Sequence, residues 1–293
     1  MHGTGEGRPP IQRNSLREQI ADALREEMMA GRLAAGRNFT VKEVAELYGV
    51  SATPAREAMV DLAAQGLLRT EHHRGFTVPA FTWRDFLEIF EARALLTDSA
   101  LRQLTPGSGR PERPRSRDWS RLPSLRRRAE AAARASRAGQ LDVLVGCDLR
   151  FWQEAAALLG NARIAEYLGW LRVQSWMFAA PYLRRNGDLR GVCWDRHGQL
   201  VDRIEARDVA GVHQLVNDYN LFTVELLARL AGEELTSVPV LALLRMPVPG
   251  ARAAVPEPAV DPGHGRVPLP RSVPPGRFGR PVRPAGGDGT AAG

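Results

Sequence analysis

The chain has 293 residues, enough for two domains of ordinary size, and its 44% apolar content is that of a globular protein. The formal charge of +7 invites a nucleic-acid partner, but it is unevenly placed: residues 14–79 carry eight Arg or Lys against nine acids, and 106–128 carry eight Arg against two, so a DNA contact must rest on placed residues. Two distant cysteines (Cys147, Cys193) exclude a disulfide framework, and the start MHGTGEGRPP lacks the apolar core of a secretory signal. No apolar run approaches the ~20 residues of a membrane span, which leads to the expectation of a cytoplasmic protein with reduced thiols and no membrane contact.

Residues 1–13 are rich in Gly, Pro and Arg and read as a disordered arm. SLREQIADALREEMMAGRL is an amphipathic helix, with Leu16, Ile20, Ala23, Leu24 and Met28 at helical spacing and Gly31 at its end. TVKEVAELYGV predicts a second helix: Thr40 caps it, Glu43 completes a capping box and Gly49 stops it. SATPAREAMVDLAAQGLL predicts a third, capped by Ser51 or Thr53, with Pro54 in its first turn and Gly66 near its end. LLRTEHHRGFTVP alternates about a Gly as two short strands and a turn do. Helix, helix, turn, helix and hairpin, over 14–79, is the order of a winged helix-turn-helix.

A second unit is expected over 82–231. FLEIFEARALLTDSALRQL spaces Phe86, Ile89, Phe90, Arg93, Ala94 and Leu96 for a buried face; the Arg/Pro-rich stretch 106–128 follows as an insert. Helical patterns resume at about 124–138, 141–160, 161–180, 194–207 and 209–231. The absence of strand-like alternation predicts an all-α antiparallel bundle, so that the chain as a whole is mainly α. From 236 to 293 the chain reads as a disordered Pro/Gly/Arg-rich tail with one short apolar patch, VPVLALLRMPVP.

In the third helix Ala55, Ala58, Met59 and Leu62 form one apolar face, and Ala52, Thr53 and Arg56 lie opposite. A helix N-terminus offers free N–H groups to a phosphate, and an Arg one turn in can pair with a phosphate or bidentately with guanine. The plain alternative is a capped surface helix with a solvated Arg. The preceding helix and a hairpin tip at Arg74–Gly75, placed to reach a groove or the backbone, favour the first reading. Lys42 and Arg74 each keep a plain surface role as the alternative.

GVSATPAREAMVDLAAQGLL followed by HHRGFTV resembles the DNA-binding domain of the GntR family of bacterial transcription regulators. The resemblance implies DNA contacts at Lys42, Ser51, Thr53, Pro54, Arg56, Arg74 and Gly75, a homodimer and a palindromic double-stranded operator. Relatives usually carry Arg where this chain has Ala52, which removes one contact.

The helical unit resembles the FCD effector domain of the FadR-type branch, through IFEARALL, DLRFWQEAAALLGN and RHGQLVDRIEARDVAGV. The resemblance implies a cavity for a small-molecule effector, an organic acid among the candidates, lined by Arg93, Asp148, Trp152, Arg172, His197, Tyr219 and Asn220. It also implies a divalent metal, such as zinc, between one Asp and three His. Here only Asp148 and His197 match: Trp152 stands at the second ligand, and Tyr219, or Asn220 in a shifted register, at the third. The expectation is a degenerate site with no cofactor, Asp148 and His197 remaining as cavity polar groups bonded to each other or to water. Arg93 and Arg172 are candidates to pair with an acid, or to form salt bridges. Two other readings stand beside the effector-controlled regulator: a regulator of the same fold without metal and small-molecule control, and an enzyme built on Asp148 and His197. The second lacks any GxSxG, HExxH or P-loop, so the chain is not expected to be an enzyme.

Overall fold

The computed structural model describes residues 16–71, 75–104, 118–235 and 238–246. The first elements are α1 (Leu16–Met29), β1 (Asn38–Phe39), α2 (Val41–Tyr48), α3 (Ala52–Ala64), β2 (Arg69–Glu71) and β3 (Gly75–Thr77). Local chemistry sets their limits. The Thr40 hydroxyl accepts from the Glu43 amide at 3.2 Å while the Glu43 carboxylate accepts from the Thr40 amide at 2.6 Å, a reciprocal cap that starts α2. Gly49, at φ 62°, ends it. Ser51 occupies the cap position of α3, but neither it nor Thr53 supplies the expected side-chain bond; the backbone turn alone starts that helix.

The three strands form one sheet in the order β1-β3-β2, with Phe39 opposite Phe76 and Glu71 opposite Gly75. β1 was not anticipated in the sequence. It also dictates Gly75: at φ 91° a Cβ there would meet the Phe39 carbonyl oxygen at 2.5 Å. Phe39 and Phe76 are buried beneath α1–α3, whose apolar faces meet at Leu24, Met28, Ala55, Ala58, Met59 and Leu62.

Then follow α4 (Trp83–Arg102), a short 3-10 turn at Trp119–Arg121, α5 (Leu122–Ala138), α6 (Leu141–Ala157), α7 (Ala162–Arg185), α8 (His197–Glu205), α9 (Val209–Ala231) and α10 (Pro239–Leu244). α4 begins with a second reciprocal cap, Thr82 with Asp85. α7 is the central strut: α1, α4, α6 and α9 all pack on it. Phe86 of α4 stacks on Phe178 of α7 at a 4.6 Å centroid separation.

Two expectations are corrected. Residues 122–128, assigned to an Arg/Pro-rich insert, are the opening turns of α5: Pro123 is tolerated in the first turn, and Leu125 is wholly buried. The tail assigned from 236 begins with α10, because Val240, Leu241 and Leu244 cover apolar surface of α4 and α9. The N-terminal arm, Arg74, residues 105–117 and the tail from 247 lie outside the described residues.

Candidate functional site

Two surfaces carry the sequence-predicted residues. On α3, Ala55, Ala58, Met59 and Leu62 are fully buried, while Ser51, Ala52, Thr53 and Arg56 are exposed and Pro54 is half-buried. The first turn of α3 thus presents its N–H groups and short side chains outward, with Arg56 one turn further on. Among the described residues no ion pair engages Arg56. Lys42, on α2, is exposed and pairs with Glu46 at 3.8 Å, a pair worth little in water. Gly75 opens β3 against Phe39 and Thr40, at the start of α2.

The second surface is internal. Asp148 of α6 is 2% exposed and its carboxylate is held by three N–H donors. Trp152 Nε1 donates to Oδ1 at 3.0 Å; Trp176 Nε1 and Arg172 Nη1 donate to Oδ2 at 2.8 and 3.0 Å. Arg172 Nη1 also donates to the Tyr219 hydroxyl at 2.8 Å, and the Arg172 guanidinium lies over the Trp152 ring at 4.4 Å. Burial alone would raise the Asp148 pKa; the Arg172 charge, with His197 and Trp176, overrides it and holds the group well below the usual carboxylate range. Burial raises the Tyr219 hydroxyl, which stays protonated at neutral pH.

His197, at the start of α8, is fully enclosed edge-on against Phe151 and Trp194. Its Nε2 lies 3.6 Å from Asp148 Oδ1, too far for a hydrogen bond, and among the described residues neither ring nitrogen has a hydrogen-bond partner. Of the two alternatives expected for Asp148 and His197, a bond to each other or to water, the direct hydrogen bond is not formed.

On the other side of Trp152 and Arg172 lies a cavity of about 80 Å³, walled by apolar residues such as Leu101, Leu200 and Val216 and reached by Arg93 and Asn220. Arg93 of α4 is 3% exposed, and among the described residues its Nη1 has no hydrogen-bond partner. Burial, then the neighbouring Arg172 charge, pulls its pKa down to about 9, so it is still a cation at neutral pH. Asn220 of α9 is wholly buried, with both amide atoms unpartnered among the described residues. Buried polar groups almost always find partners, and these three atoms belong to residues of one cavity. The geometry separates the two alternatives for α9: Tyr219 belongs to the Asp148 cluster, Asn220 to the cavity. His213 is apart from both, its Nε2 3.2 Å from Asp98 Oδ1.

The family model described as bacterial regulatory proteins, gntR family, matches residues 16–78, and the FCD domain model matches residues 88–220. The chain belongs to the GntR family. The regulator BphR of Paraburkholderia xenovorans, itself described as uncharacterized, is 36% identical over 89 residues, which are 30% of this chain and 36% of BphR. McbR of Escherichia coli is 32% identical over 110 residues, 36% of this chain and 48% of McbR, so the matches span under half of these relatives' length. In three dimensions, E. coli McbR/YncC superposes with a TM-score of 0.53 at 22% identity, covering 75% of this chain and 99% of that one. A GntR regulator from Rhodococcus sp. RHA1, titled putative, gives 0.53 at 20% identity over 75% of this chain and 100% of that one. At these identities the likeness is one of fold.

Within this GntR-family chain the metal implied by the FCD resemblance can be tested against the donors. A structural or catalytic zinc site takes three or four N, O or S ligands. Here both Asp148 oxygens are occupied by N–H donors, Trp152 offers no lone pair, Tyr219 accepts from Arg172, and a fixed guanidinium lies against the group. The residues do not fit a divalent ion. Trp176, whose indole N–H holds Asp148, was not singled out from the sequence. The signal was present, since Trp176 lies four residues after Arg172 and shares its helix face.

Proposed function

We propose that the chain is a cytoplasmic, homodimeric transcription regulator that binds a palindromic double-stranded operator through α3 and the β2–β3 wing, and whose binding is controlled by a small carboxylate held in the α4–α9 cavity. DNA binding is supported by the division of α3 into a buried apolar face and an exposed first turn carrying Ser51, Thr53 and Arg56. Two such helices, related by a two-fold axis, suit successive major grooves. Lys42 and Gly75, with Arg74, extend the contact to the backbone.

Effector control is carried by one observation: Arg93 is a buried cation whose Nη1 has no partner, on the wall of an otherwise apolar cavity that also holds the unpartnered amide of Asn220. An anion that completes both is a carboxylate. Mapping of bound DNA across the genome supplies the operator. Fluorescence anisotropy on that DNA, with and without a panel of short monocarboxylates, then tests control. A wild-type response that is absent in Arg93→Met, with DNA affinity intact, is expected; operator binding indifferent to every acid would favour a regulator without small-molecule control.

A further inference from the structure

A buried carboxylate needs a cation inside the fold. For Asp148 that cation is Arg172, 5% exposed, whose Nη1 reaches Asp148 Oδ2 at 3.0 Å and Tyr219 Oη at 2.8 Å while its guanidinium carbon lies 4.4 Å from the Trp152 ring centroid. One guanidinium thus touches three of the four side chains that the FCD resemblance aligns with metal ligands. The fourth, His197, approaches Asp148 from its other oxygen at 3.6 Å. We infer that Arg172 is the resident cation of this site, standing where a divalent ion would sit, and that the cavity beside it takes its ligand without a metal.

The consequences for the neighbouring side chains agree. A guanidinium neutralises a carboxylate through directed N–H bonds and, unlike a metal, has no open coordination position to offer an anion. Recognition of the anion then falls to the cavity-lining groups with capacity to spare, which among the described residues are Arg93 Nη1 and the Asn220 amide. Two guanidiniums and one carboxylate meet here, so one positive charge is left for a ligand, which favours a monoanion over a dianion. Trp152 closes the arrangement: its N–H holds Asp148 from one side, its ring face covers Arg172, and it lines the cavity. The inference rests on reading the cavity as a ligand site, yet its test reads metal rather than DNA, so either can fail alone.

The full chain, freed of metal by chelator and desalted, is titrated with Zn²⁺ by calorimetry and melted with and without it. The expected result is no stoichiometric uptake and an unchanged melting temperature. Uptake of one Zn²⁺ per chain with a raised melting temperature would overturn the inference. In parallel, the variant W152H/R172A/Y219H removes the guanidinium and restores imidazoles beside Asp148 and His197. It is expected to take one Zn²⁺ per chain and to melt higher with zinc, or to fold only with it. A variant that folds, by circular dichroism, but takes no ion would also sink the inference. If the variant does not fold even with zinc, the wild-type titration decides.

Discussion

Trp170 of α7 donates its indole N–H to the backbone carbonyl of Gln65, the residue that ends α3. The two lie 105 positions apart in sequence, and the bond joins the helix proposed to read DNA to the helix that builds the cavity. Leu168, Gly169 and Arg172 line the cavity from the same turn of α7. A second tie lies at the other end of α7, where Arg184 Nε donates to the Ala30 carbonyl at 2.6 Å and Asp142 pairs with both Arg184 and Arg32. α7 is thus bonded to the C-terminal end of α3 and to the residue that follows α1.

Trp170→Phe keeps the ring that stacks on Tyr167 at 5.1 Å and deletes only the donor. A lost hydrogen bond of this kind costs about 0.5–1.5 kcal/mol. Thermal melting should show a small drop, and amide exchange at Gln65 and Gly66 should accelerate relative to the rest of α3. Unchanged exchange there would mean that the bond does not hold the end of α3.

What was legible in the sequence was what local chemistry writes. Thr40–Glu43 and Gly49 announce α2 because a capping box and a left-handed stop need only neighbouring residues, and the apolar face of α3 follows from period alone. β1 was not legible because two residues carry no period; it exists because Phe39 finds Phe76, 37 positions later. α10 was hidden by its length and its flanking prolines; only the exposed apolar surface of α4 and α9 makes it a helix worth forming. The cavity residues could be named from the resemblance, but not their division of labour. That Arg172 neutralises Asp148 while Arg93 is left unmatched depends on which faces of α4, α6, α7 and α9 meet.

Arg56→Ala should weaken operator binding by about 1–3 kcal/mol, some 5- to 150-fold, if the residue pairs with a base. The melting temperature should not move, because Arg56 is exposed and makes no ion pair among the described residues. Lys42→Ala should weaken binding to all DNA alike and reduce the salt slope by about one. Anisotropy titrations across a range of salt separate the two. A base-reading role for Arg56 is ruled out if its loss affects specific and nonspecific DNA equally.

Arg93→Met should stabilise the free chain while abolishing the ligand response. The native fold carries a buried, incompletely bonded cation there, and an unbranched apolar side chain of similar length removes that cost, worth about 1–3 kcal/mol. Wild type should melt higher in the presence of a bound monocarboxylate, and the variant should not. A destabilised variant would show that Arg93 is satisfied in the free protein, which would remove the principal support for the effector site.

Arg172→Met should be costly and pH-dependent in a way that identifies the charge it serves. Removing one partner of a buried pair costs about 3–5 kcal/mol at neutral pH. In wild type the Asp148 pKa is depressed, so its contribution to stability is present above the unfolded carboxylate value and is lost only in strong acid, through the depressed value. Without Arg172 the burial that opposes ionisation dominates, and the folded pKa rises above the unfolded one. The folded variant then binds a proton that the unfolded chain does not, so its stability relative to wild type recovers as pH falls from 7.5 toward 5. Denaturant unfolding at both pH values reads this directly: the deficit should shrink in acid, and Arg172→Met combined with Asp148→Asn should lose the dependence. A deficit equal at both pH values would mean that packing, rather than the Asp148 charge, is what Arg172 supports.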